Sequence, residues 1–213
     1  MKFDIIGSFV IGFLIAVFFL ILAYTTITIL TSGEAPPPYY WTALVIFPAL
    51  SVAGLVLVRD LKNRLAGPPA MAGIFALGYQ FYKFILVGVL NTLLDLAVLN
   101  GLIVLTGIAI GWHFSLFKGA SFTIAVVNSY FWNKFWTFRK KGGVGASEFG
   151  QFLAVSLVGL GINVGAASLL VNVVGPKGDM DPQLWANVGA VAAIAFSTIW
   201  NFIGYKFFVF KKT

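Results

Sequence analysis

The chain of 213 residues is 60% hydrophobic and 10% charged, with a mean hydropathy of +0.95, where a soluble domain carries about 25% charged residues. So much apolar surface leaves too little polar covering for a core in water, and the solvent of this fold is lipid. The sequence has no cysteine and a single histidine, His113, which excludes disulfides and thiolate metal sites and argues against a multi-histidine metal centre. The formal charge of +7 matters through its placement rather than its sum.

Crossing a bilayer takes about 20 apolar residues of helix. Ile5 to Leu30 forms the first such run; it is too long, and too poor in leading basic residues, to be a simple cleaved signal peptide. TSGEAPPPYY (Thr31 to Tyr40) follows, and its three consecutive prolines forbid helix. Trp41 to Val58 is the second span, closed by the charge, glycine and proline of RDLKNRLAGPP. Ala70 to Gln80 is apolar but short, and reads as an interfacial lead-in rather than a span. The remaining spans are Tyr82 to Ile108, Leu116 to Phe138, Phe149 to Val174 and Leu184 to Phe210. All must be helical, because backbone groups in hydrocarbon need partners within their own segment. The expected fold is an all-α integral membrane protein of about six transmembrane helices. Residues 1–66 would form an accessory hairpin and 67–213 a four-helix domain.

With six spans, Lys2, Arg59, Lys62, Arg64, Arg139, Lys140, Lys141, Lys211 and Lys212 fall on one side. Lys83, Lys134 and Lys206 lie near that side, and only Lys118 and Lys177 lie toward the other. Basic residues accumulate on the cytoplasmic face, so both termini are expected there, in the cytoplasmic membrane. Tyr39, Tyr40, Trp41, Trp112 and Trp185 sit at the opposite boundary, as an aromatic belt does.

The last four spans repeat. FWNKFWTFRKK (Phe131 to Lys141) is echoed by YKFFVFKK (Tyr205 to Lys212), with Lys134 over Lys206 at an offset of 72 residues. QFYKFILVG (Gln80 to Gly88) lies over QFLAVSLVG (Gln151 to Gly159) at an offset of 71, and Asn91 over Asn163 at 72. The repeat units are therefore 80–141 and 151–212. Each contains two helices, so both cross in the same sense, as in parallel transporter repeats.

Asp95 is the most informative residue, since it lies near mid-membrane, where a charge costs at least about 2.5–3.5 kcal/mol on insertion scales. Asn91, four residues earlier, shares its face. Two readings are open: a clasp between helices, or a polar cavity contacting substrate hydroxyls or a proton. The second unit has Ala167 opposite Asp95 and Ala154 opposite Lys83, so an acidic site belongs to the first. Lys134 and Lys206 come about one turn before their helices leave the membrane. Each is either a snorkelling interface residue or half of a receptor for an anionic headgroup, with the amides of Asn91, Asn128, Asn163 and Asn201 deeper in. Phe135, Trp136, Phe207 and Phe208 read as interface anchors. Gly142 to Gly145 reads as a connector. The small residues of LVGLGINVG favour close helix contact, within the chain or in a homodimer. Nucleic-acid binding is disfavoured because the basic groups flank the membrane. One histidine at the rim leaves no Ser–His–Asp arrangement. No GxxxxGK[ST] loop is present. No enzyme active site, metal or cofactor is expected.

KFILVGVLNTLLDLAVLNGLI, NSYFWNKFWTFRKK, FLAVSLVGLGIN and IWNFIGYKFFVFKK together resemble the GtrA-like family of small four-helix membrane proteins, over about Gln80 to Lys212. The first two spans are not part of its usual unit, and read as an accessory hairpin for docking a partner. The resemblance implies translocation of polyprenyl-phosphate-linked sugars across the cytoplasmic membrane for cell-surface polysaccharide or glycolipid synthesis, often with a membrane glycosyltransferase as partner. On that expectation Lys134 and Lys206, helped by Lys83 and Arg139, capture the phosphate. Asn91, Asp95, Asn128, Asn163 and Asn201 line a groove for the sugar, while the tail stays in membrane lipid. The alternatives are a non-transporting subunit that scaffolds a glycosyltransferase, and a small cation or drug exporter using Asp95, which the basic interface argues against.

Overall fold

The computed structural model describes residues 2–30, 42–65, 69–108, 110–176 and 181–211. The proline-rich turn with Tyr39, Tyr40 and Trp41, the Ala66 to Pro68 segment, Lys177 and Lys212 lie outside the described residues. Every regular element among the described residues is helical, and none is a strand. The helices are α1 (Lys2–Leu30), α2 (Ala43–Leu65), α3 (Pro69–Thr106), α4 (Gly111–Trp132), α5 (Ala146–Ser168) and α6 (Pro182–Gly204). The last three run on into wider, π-helical turns: Asn133–Thr137 after α4, Leu169–Val174 after α5 and Tyr205–Val209 after α6.

Five segments are long and apolar enough to cross a bilayer: Phe3–Tyr24, Ala43–Leu61, Met71–Thr106, Ala146–Val174 and Trp185–Val209. The other helix, α4, is more polar because it carries His113, Lys118, Ser121 and Asn128. The chain is a multi-pass, all-helical membrane protein.

The lead-in expectation is corrected. Ala70 to Gln80 is continuous with the third span, and α3 runs unbroken from Pro69. Pro69 occupies the first helical position, where a missing N–H costs nothing. At about 1.5 Å per residue, a helix of 38 residues is about 57 Å long, nearly twice the hydrocarbon core. A steep tilt or a projection beyond the bilayer is therefore required, and Tyr79, Gln80, Tyr82 and Lys83 supply polar groups at the level of exit.

Two compact units divide the chain, residues 1–139 and 140–213. The hairpin of α1 and α2 thus lies in the same compact unit as the first repeat. The reason is packing: α1 lies against both α2 and α3. Ile11 and Ile15 of α1, Val87 and Leu90 of α3, and Trp136 form one buried cluster. Burial alone drives little association in lipid, where the alternative surroundings are equally apolar. Close approach and hydrogen bonds do more. A Cβ built on Gly7 would land inside the Trp136 indole, and one on Gly54 would meet the Tyr82 hydroxyl. Ser8 and Ser51 each donate to the other's backbone carbonyl at 2.8 Å, and the Tyr82 hydroxyl donates to the Ser51 carbonyl at 3.1 Å.

In the second unit, Phe152, Tyr205 and Phe210 cluster with ring centroids 4.4–6.2 Å apart. The Ser156 and Tyr205 hydroxyls share a 2.7 Å hydrogen bond. A matching ring contact in the first unit joins Phe84 to Phe138.

Candidate functional site

The repeated phrase becomes a repeated piece of geometry. In both units the second helix widens at its end: the Phe138 N–H donates to the Asn133 carbonyl at 2.8 Å, and the Phe210 N–H to the Tyr205 carbonyl at 2.7 Å. Each is a five-residue π turn, the kind of local insertion that recurs at functional positions. Lys134 and Lys206 occupy the same second position of their turns. The Lys134 ammonium lies 5.6 Å from the Tyr130 ring centroid and 5.7 Å from that of Phe135; Lys206 lies 5.8 Å from both Phe202 and Phe207. Each cation thus stands over the ring four residues before it and the ring one residue after it. Ring faces attract cations electrostatically, so they hold charge where water is scarce. The environments differ in one respect. Lys134 has no exposed surface and donates to the Tyr130 hydroxyl at 3.3 Å, whereas Lys206 is half-buried.

Lys83 and Arg139 are brought together by a residue that sequence reasoning passed over. Asp4, in the first turn of α1, receives Lys83 on one carboxylate oxygen at 3.3 Å and Arg139 on the other. The Lys83 ammonium also donates to the Trp136 carbonyl at 2.6 Å and lies 5.3 Å from the Trp136 ring. The Asp4 and Lys83 side chains are 8% and 3% exposed, and that of Arg139 is 50% exposed. Arg139 ends its helix with φ 52°, in the left-handed region that costs a non-glycine residue about 1–2 kcal/mol. Its guanidinium turns back onto α1.

Deeper in the same unit, α3 and α4 share a polar seam. Asn128 donates to the Asn91 carbonyl oxygen at 2.7 Å, and the Asn91 amide nitrogen is buried with no partner among the described residues. Asp95 accepts from Lys118 on one oxygen and from the Ser121 hydroxyl on the other at 2.6 Å. Lys118, Ser121 and Asn128 fall on one face of α4, at spacings of three and seven residues. Asp95 is therefore held in an ion pair, which suits the clasp reading of this residue. Lys118→Met alone should lower stability by about 1–2 kcal/mol, a value reduced because the Lys118 side chain is 44% exposed. Adding Asp95→Leu should recover most of the loss, and thermal unfolding in detergent checks both.

In the second unit Asn163 donates to the Ser197 hydroxyl at 3.2 Å. Asn201 packs where a Cβ on Gly159 would stand, and its carbonyl oxygen is buried with no partner among the described residues. Gly159 is thus spent within the unit, while Cβ atoms built on Gly161 and Gly165 would meet nothing within 4 Å.

Among the nominated residues the structure groups Lys83 with Arg139 and Asn91 with Asn128, while Asp95 is held by Lys118. Asp4, Lys118, Ser121 and Tyr130 were not nominated. Asp4 did leave a signal, as an isolated acid one residue before an uncharged run.

The family model described as GtrA/DPMS, transmembrane domain, matches residues 83–210. The uncharacterized membrane protein YngA of Bacillus subtilis is 32% identical over 139 residues, covering 60% of this chain and 77% of that protein. No solved structure matches the chain.

Proposed function

The chain belongs to the GtrA/DPMS transmembrane-domain family, and from that premise we propose that it is a translocase, moving a polyprenyl-phosphate-linked monosaccharide across the cytoplasmic membrane. The product would serve cell-surface polysaccharide or glycolipid synthesis. The observation that carries the reading is the pair of lysines on equivalent π turns, each over two aromatic rings, at the end of an apolar helix. Such a headgroup has one phosphodiester charge and several hydroxyls, and its tail never leaves lipid. Unaided crossing places the charge in hydrocarbon at a prohibitive cost. Lys134 in the first unit and Lys206 in the second are each a capture point for a phosphate, Lys83 and Arg139 assist in the first, and the amides of Asn91 and Asn128 in the first unit and of Asn163 and Asn201 in the second are offered to the sugar. Asp95 orders the seam through Lys118. Both termini face the cytoplasm in this reading.

The test is a quenching assay in liposomes bearing a fluorescently tagged polyprenyl-phosphate glucose. Purified protein should raise the fraction of probe open to an external reductant above that of protein-free liposomes within minutes. Equal fractions remove the proposal.

A second reading draws on the hairpin, which lies outside the family-matched segment and exposes Val45, Leu50 and Leu57. It makes the chain a non-transporting subunit that docks a membrane glycosyltransferase. Probe movement only when the enzyme is added supports that reading.

A further inference from the structure

We infer that Asp4 selects headgroups by charge, admitting those with one negative charge over those with two. The inference rests on the proposed capture of a lipid phosphate near Lys83 and Arg139 and adds a specificity residue to it. The contact triad contains two cations and one carboxylate, with Lys83 on one oxygen and Arg139 on the other. Its net charge is therefore +1. Asp4 and Lys83 are almost wholly buried, so water screens their charges weakly. Arg139 is the open edge of the cluster, with half its side chain exposed. The Tyr79 hydroxyl also faces Asp4, and Arg59 of α2 acts on Tyr79 from farther away.

A phosphodiester brings one negative charge and neutralises this triad. A phosphomonoester or diphosphate brings a second charge, which finds no further cation within the triad and lies beside the Asp4 carboxylate. Like charges that close in a weakly screened site repel strongly. Both cations lie in the family-matched segment 83–210 and Asp4 lies outside it. The hairpin of this chain thus supplies the acid that lowers the charge of the site from +2 to +1. A purely structural counter-ion would hold Lys83 in place and leave ligand preference untouched.

The experiment measures binding of two probes to the purified full chain in detergent at pH 7: farnesyl-phosphoryl glucose, a diester, and farnesyl phosphate, a monoester. The wild type should prefer the diester. Asp4→Asn should shift the affinity ratio toward the monoester by about tenfold, the scale of one charge interaction at partial screening. An unchanged ratio, with diester binding retained, overturns the role of Asp4 and leaves the translocase reading intact. A second measurement needs no variant. The monoester loses its second proton near pH 6, so its wild-type affinity should fall relative to the diester between pH 5 and pH 7. The diester controls for titration of the protein itself. A flat ratio overturns the inference even if Asp4→Asn does not fold. Wild type that binds neither probe removes the proposed capture and this inference together.

Discussion

Lys83→Met should destabilise the protein by about 3 kcal/mol, the lower end of what breaking a buried ion pair costs. The substitution keeps an unbranched stem out to the Cε position of lysine and removes the ammonium group. The Asp4 carboxylate then stays 8% exposed, with the half-exposed Arg139 and the Tyr79 hydroxyl left to compensate it. The Trp136 carbonyl loses its 2.6 Å donor as well. Asp4→Asn should cost less, about 1–2 kcal/mol, because the amide oxygen still accepts, Lys83 keeps the Trp136 carbonyl, and Arg139 can turn outward. Asp4→Asn with Lys83→Met should cost less than the sum, since no unpaired buried charge remains. Unfolding of the four proteins in a common detergent gives the cycle. Additive effects would mean that Asp4 and Lys83 do not act as a pair, and that α1 is held by Trp136 and the serines alone.

The spans were legible because lipid imposes a length and tolerates only helices. The boundary errors follow from the same rule. Ala70 to Gln80 was separated from the third span because one bilayer thickness was already filled by Tyr82 to Ile108. Hydropathy cannot reveal that a helix continues past what the membrane requires. Lys134 and Lys206 were legible because charge is scarce in an apolar chain and the phrase recurs. The π turns beneath them were not, since widening a helix by one residue leaves no periodic mark in five residues. Asn91 and Asn128 are expected from sequence to line one groove, and their direct contact follows from α3 and α4 being antiparallel neighbours. Asp95 was nominated without Lys118, because that lysine was assigned to the far boundary; only the helix pairing places it one side-chain length from Asp95. Asp4 was lost to a convention: the first span was begun at the first uncharged residue, so the acid beside it was counted as flank. Isolated acids at the edge of an apolar run are worth pairing with basic residues at the same level of other spans.

Glutamine at Lys134 or Lys206 tests the capture chemistry directly, and the two sites should not respond equally. Lys134→Gln should slow headgroup transfer by about 100-fold or more, because removing one partner of a desolvated charge pair costs about 2–5 kcal/mol. Lys134 is fully buried among Tyr130 and Phe135, so water cannot replace the lost ammonium. Glutamine can still donate to the Tyr130 hydroxyl, which preserves the local hydrogen bond and the fold. Lys206 is half-buried over Phe202 and Phe207; the protein encloses its charge less completely, and Lys206→Gln should slow transfer by about tenfold. Arginine at either position should not restore full rate, since a planar fork does not fit a niche shaped around a point charge between two rings. If both lysines serve one transfer step, the double variant should be no slower than the product of the single effects. Transfer within about twofold of wild type in both single variants, at equal protein loading and unchanged unfolding temperature, would identify these lysines as interface anchors. The repeated π turns would then be explained by helix termination rather than by phosphate.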